Sequence, residues 1–151
     1  MTKSRPDTIA DSFIRIVEGV AFMLPERDGA DLSCRGQAIV ATMPFKGPVS
    51  GSMALAAPEA LAVEIAANML GTESNAQITP GKAHDAFGEL LSVIGGNLLA
   101  ALFGNVPVFD CAIPEIAPMT TADWEKLGTD PCALLFNVEE CPVLLRFQCN
   151  A

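Results

Sequence analysis

Tyrosine is absent from this 151-residue chain, and tryptophan and histidine occur once each. Basic residues are scarce: 9 Lys and Arg stand against 18 Asp and Glu, a formal net charge of −9. A chain this acidic, without a basic cluster, repels a phosphate backbone, which excludes nucleic-acid binding. The single imidazole, His84, leaves little for a Cys/His metal set. The five cysteines, Cys34, Cys111, Cys132, Cys141 and Cys149, are odd in number and contain no CxxC pair. They read as reduced thiols packed like small apolar residues, and no metal site is expected. No GxxxxGK[ST] or GxGxxG loop is present, so nucleotide binding has no motif behind it. Charged residues make up 18% of the chain, below the usual ~25%. An unusual share of the surface must therefore be buried, some of it against another subunit.

What is there instead is apolar: half of the residues are hydrophobic, which excludes disorder. The length fits one domain spanning residues 1–151, with enough surface buried for a real core. The longest charge-free run, Leu90 to Phe109, matches a spanning helix in length, but Gly95, Gly96, Asn97, Gly104, Asn105 and Pro107 interrupt it. Its compactly apolar part ends near Phe103, as in a buried core helix. The opening MTKSRPDTIADSF has acidic residues where a signal peptide needs an apolar stretch. The chain reads as soluble and cytoplasmic, without membrane insertion.

Apolar spacing predicts a helix over Thr8 to Leu24, then strands over Leu32 to Phe45 and Val49 to Ala57 around a Gly47-Pro48 turn. Pro58-Glu59 opens a second helix that runs through Leu70 and closes at Gly71. Thr72 to Pro80 is a loop, and a long helix covers Lys82 to Phe103. A strand over Val108 to Ile116 carries Pro114, which marks an edge or a bulge. Thr120 to Leu127 begins like a short helix with Thr121 as its cap. Cys132 to Val138 and Val143 to Cys149 form a last antiparallel pair around Glu139-Glu140. In the final strand Val143, Leu145, Phe147 and Cys149 face one way. This order is no regular βαβ alternation, so the expected fold is α+β, an antiparallel sheet with the long helices on one face.

The long helix carries the functional signal. At about 100° per residue, Phe87, Leu90, Leu91, Ile94, Leu98, Ala101 and Leu102 gather on one core stripe. Opposite them Asp85, Glu89, Ser92 and Gly96 form a polar strip at i, i+4, i+7 and i+11. Glu89 is the only charge between His84-Asp85 and Asp110. Small neighbours, Gly88, Gly96 and Ala100, let another surface approach its carboxylate, a geometry suited to docking a partner.

Asp85 to Asn97, DAFGELLSVIGGN, resembles the signature helix of the CheC/CheX/FliY chemotaxis phosphatases, CheX-type members in particular. Gly47 to Gly71, GPVSGSMALAAPEALAVEIAANMLG, resembles the strand, Pro-Glu helix start and Met-Leu-Gly helix end of the same family. The resemblance covers nearly the whole chain and implies a two-layer fold, long helices on an antiparallel sheet, and a homodimer. It also implies a partner: a phosphorylated CheY-like response regulator that holds its own Mg²⁺, so that this chain needs no cofactor. In such phosphatases the Glu, here Glu89, pairs with a regulator lysine, and an Asn amide orients the attacking water. Phosphoryl transfer needs mainly positioning and charge stabilisation, which such a constellation supplies.

Ser92 stands at the position of that Asn. An amide offers an acceptor and two donors at fixed reach; Ser offers one short, rotating hydroxyl. Loss of a preorganised polar group at a reaction centre commonly costs ~10²–10³ in rate. Asn97 matches the family's later Asn but lies about 140° round the helix from Ser92, so its role is a structural hydrogen bond near Gly95-Gly96. Two functions stay open: aspartyl-phosphate hydrolysis with Glu89 and Ser92 as catalytic residues and Asp85, Glu89 and Gly96 docking the regulator, or a non-catalytic module that binds a regulator or another signalling protein. His84 and Ser92 are roughly 12 Å apart along the helix, too far for a triad. Trp124 is expected as a lid over the core.

Overall fold

The computed structural model describes residues 5–27, 34, 36–72, 75–105 and 107–150. Helix α1 (Arg5–Val20) leads to a short strand β1 (Pro25–Glu26), and β2 (Ala38–Lys46) and β3 (Ser50–Pro58) form a hairpin. Helix α2 (Glu59–Leu70) and the long α3 (Pro80–Phe103) follow. The chain closes with β4 (Asp110–Cys111), β5 (Glu115–Met119), α4 (Thr121–Gly128), β6 (Ala133–Val138) and β7 (Cys141–Asn150). All seven strands belong to one antiparallel sheet in the order β1-β6-β7-β3-β2, with β4 and β5 both pairing β2.

Alternation along the strands divides the apolar residues between two faces. Ile39, Ala41, Met43 and Phe45 of β2, Met53, Leu55 and Ala57 of β3, and Val143, Leu145 and Phe147 of β7 enter the main core beneath α1, α2 and α3. Phe13 of α1 meets Phe136 of β6 there, with ring centroids 4.3 Å apart. Ala66 and Ala67 of α2 lie against Ala83 and Ala86 of α3, small residues that bring the two helices close. On the other face Ala38, Ala56 and Leu144 pack with Trp124 of α4. Trp124 thus covers the back of the sheet rather than the main core.

Helix α3 occupies the middle of the helical layer, between α1 and α2 and over β2 and β3. It is long and apolar enough by length and composition to cross a membrane; the fold uses that apolarity to bury Phe87, Leu90, Leu91, Ile94 and Leu98 at no more than 1% exposure. Pro80 sits in its first turn, where no N–H is needed, and the Thr79 hydroxyl accepts from the Lys82 N–H at 3.2 Å. Gly71 closes α2 in the left-handed conformation at φ 70° and returns its N–H to the Ala67 carbonyl.

Several boundaries differ from the sequence reading. Helix α1 stops at Val20, not Leu24, because Phe22 turns to φ 57° and Pro25 disfavours helix at the residue before it. Of the predicted strand from Leu32, the first residues lie partly outside the described ones, and pairing begins only at Ala38, after Gly36 at φ 78°. The single strand over Val108 to Ile116 is two, β4 and β5, broken at Ala112 to Pro114, since proline donates no ladder hydrogen bond. Thr120, not Thr121, caps α4, accepting from the Asp123 N–H at 3.0 Å.

Candidate functional site

The 3.6-residue period brings Asp85, Glu89, Ser92 and Gly96 to one outward line on α3, and all four are exposed. Neither the Asp85 nor the Glu89 carboxylate has an ion-pair or hydrogen-bond partner among the described residues. At one turn's distance before Asp85, Lys82 is equally exposed. A hypothetical Cβ at Gly96 meets nothing within 4 Å, so the far end of the line is open. The line is therefore a convex, acidic ridge.

The residues beneath the ridge set its height. Gly95 is buried, and a Cβ there would overlap the Met43 methyl and lie 3.1 Å from Met53 Sδ. Glycine lets α3 settle directly on β2 and β3. Ser92, although exposed, turns its hydroxyl back onto the Met43 thioether, with Oγ 3.9 Å from Sδ. Sulfur is a weak acceptor, so this contact holds the hydroxyl only loosely. Asn97 Nδ2 donates to the Val93 carbonyl at 2.9 Å, one turn back along the helix.

This arrangement of helices over an antiparallel sheet recurs in proteins of known structure. The family model described as "Chemotaxis phosphatase CheX" matches residues 39–135. The chain belongs to the CheX family. Among solved structures, chemotaxis protein CheX from Vibrio vulnificus aligns at TM-score 0.73 and 19% identity, covering 99% of this chain and 100% of that one. CheX from Desulfovibrio desulfuricans aligns at TM-score 0.71 and 16% identity over 97% and 99% of the two chains. A further match is to the CheX–CheY–BeF₃–Mg²⁺ complex from Borrelia burgdorferi, at TM-score 0.68 and 14% identity over 98% and 99%. No curated protein matches the chain by sequence.

Within this CheX-family fold not every residue of the sequence reading sits where it was expected. Gly88 is buried and faces Ile116 and Pro114, at 3.5 and 3.6 Å from its hypothetical Cβ, so it packs against the β5 edge instead of admitting a partner. Ala101, placed on the core stripe, is exposed, while Leu102 and Phe103 after it still pack against the main core. His84 leans on Glu59 of α2, with Nε2 3.3 Å from Oε1, and takes no part in the ridge. Cys111 shares a shallow depression with Gly96 and Ala100 at the ridge's far end. Partial burial and the neighbouring Asp110 push its thiol above the ordinary value of 9.0, the wrong direction for a nucleophile.

Two features escaped the sequence. Met43 lies under Ser92, and only the register of β2 beneath α3 could place it there. The second is an open groove beside Asp85 and Glu89, walled on its other side by Val20 of α1 and Met69 and Leu70 of α2. The signal available for the groove was an apolar Leu70 immediately before the glycine that ends α2.

Proposed function

We propose that this CheX-family chain acts in chemotaxis-type signalling on a phosphorylated CheY-type response regulator, docking it through the α3 ridge. The observation that carries the reading is Glu89: an unpartnered carboxylate at the middle of an exposed ridge, on the one stretch of α3 that matches the family signature. Glu89 pairs with a lysine beside the regulator's aspartyl phosphate, while Asp85 and Gly96 define the ends of the contact. Asn97 braces the helix through the Val93 carbonyl. The regulator's own Mg²⁺ neutralises charge on the phosphoryl oxygens, and this chain brings no cofactor. It works as one cytoplasmic domain, in a homodimer.

Hydrolysis then depends on whether Ser92 can hold a water in line with phosphorus. With its hydroxyl 3.9 Å from Met43 Sδ, the group points back toward the sheet. That orientation favours a second reading, a binding module with little turnover. One assay separates the two: phosphate release from a phosphorylated CheY-type regulator with wild type, Glu89→Ala and Ser92→Asn. Ser92→Asn is expected to raise the rate by ~10²–10³, and Glu89→Ala to abolish both binding and turnover. Binding without turnover in wild type selects the module. Fast wild-type hydrolysis that Glu89→Ala leaves unchanged would overturn the site.

A further inference from the structure

Three of the five large apolar side chains that are strongly exposed among the described residues lie on two segments, the residues after α1 and the end of α2, that the Asn68–Ala21 hydrogen bond ties together. They are Phe22 at 72%, Leu24 at 67% and Leu70 at 56%. One exposed leucine needs no explanation, but a cluster beside a polar ridge marks a contact surface. Leu70 lines the groove of about 670 Å³ whose opposite wall is Lys82, Asp85 and Glu89. The groove and the ridge therefore share an edge and form one continuous surface. Val20 also lines the groove, and two residues later Phe22 is held at φ 57°, a backbone conformation costly for a bulky side chain. Asn68 of α2 fixes the approach to it, donating Nδ2 to the Ala21 carbonyl at 2.8 Å. The turn that ends α1 thus sets a bulky aromatic ring in solvent at a strained backbone position.

We infer that this groove seats an apolar side chain of the response regulator, next to the lysine that meets Glu89, and so selects among regulators; the inference rests on the docking role proposed for the ridge. Charge complementarity argues for that occupant over a second copy of this chain. The groove's α3 wall is acidic but for Lys82, and a chain of net charge −9 would bring like charge to it. A regulator surface that offers a cation beside an apolar group fits both walls at once. The buried aromatic or aliphatic anchor supplies affinity, and the charged pair supplies register.

The test measures binding of each stand-alone CheY-type receiver domain of the source organism, loaded with Mg²⁺ and beryllofluoride in place of the phosphoryl group. The chains compared are wild type, Glu89→Ala, Leu70→Ser, Leu70→Met and Phe22→Gly, with melting temperature and sedimentation recorded for each. Leu70→Ser is expected to weaken the best receiver by about tenfold or more, while Leu70→Met binds like wild type. Phe22→Gly is expected to melt higher yet bind more weakly, a split that a purely structural role does not produce. Wild-type binding by Leu70→Ser and Phe22→Gly, with loss in Glu89→Ala, overturns the groove and leaves the ridge standing. Binding unaffected by Glu89→Ala, or no binding by any receiver, overturns the docking role and the groove with it. A dimer that dissociates on Leu70→Ser assigns the groove to a second copy and overturns the inference.

Discussion

A methyl group added at Gly51 would overlap the Gln148 carbonyl oxygen and lie 2.8 Å from Cys149 Cα. Both obstacles are backbone of the neighbouring β7, which cannot yield without opening the β3–β7 ladder. At Gly95 the obstacle is the end of Met43, a flexible thioether that can swing aside. Gly51→Ala is therefore expected to cost about 1–3 kcal/mol and Gly95→Ala less, as read from urea midpoints at constant slope. Gly95→Ala has a second consequence that Gly51→Ala lacks: shifting Met43 removes the group on which the Ser92 hydroxyl rests. At this scale the sequence was partly legible. The polar line Asp85, Glu89, Ser92 and Gly96 followed from helical period alone, because nothing in a strongly apolar helix competes with it. Gly88 was misread, since a residue without a side chain leaves no sign of which way its position faces.

The β6–β7 hairpin turns through Glu139 and Glu140, at φ 51° and 64°, between the paired Val138 and Cys141. Two-residue loops of type I′ need positive φ at both central positions, as here, which suits Asn-Gly far better than Glu-Glu. The double substitution Glu139→Asn with Glu140→Gly is expected to stabilise the fold by about 1–2 kcal/mol, visible as a higher thermal midpoint with the ridge untouched. Turn position was legible here from two acidic residues between alternating strands, although its conformation was not. The long α3 and the α2 cap at Gly71 were legible for the same reason: period and punctuation agree. The region from Val108 to Ile116 was legible in part: Pro114 marks an edge, and among the described residues both strands pair only with β2, but apolar composition masks the break at Ala112 to Pro114. Nor could a short α4 reveal its side of the sheet; only pairing of β6 and β7 with the rest puts Trp124 on the back face.

Three thiols link the whole molecule to pH. Burial and the nearby Cys141 push Cys34 up, and burial with Glu64, Glu139 and Glu140 does the same to Cys141. Cys111 moves in the same direction through burial and Asp110. An acid whose pKa is higher in the folded state than in the unfolded one stabilises the fold while protonated. That contribution is whole below the ordinary thiol value of 9.0 and is lost as pH climbs through the raised folded values. Denaturant midpoints are expected to hold up to about pH 8 and to fall beyond about pH 9, and Cys→Ser at Cys34 and Cys141 to flatten the fall. The shape of the ridge reaches further. A helix crest bears its groups outward, and the groove beside it stands open to solvent, so the free protein cannot exclude water from a reacting phosphoryl group by itself. Under the proposed docking, whatever chamber the chemistry requires would exist only once the partner's cleft closed over Glu89. The free protein is accordingly expected to leave acetyl phosphate and other small acyl phosphates intact in a phosphate-release assay, even with Ser92→Asn in place. Substrate choice would then be a property of two molecules meeting, and this chain would carry half of a catalyst that no small molecule can complete.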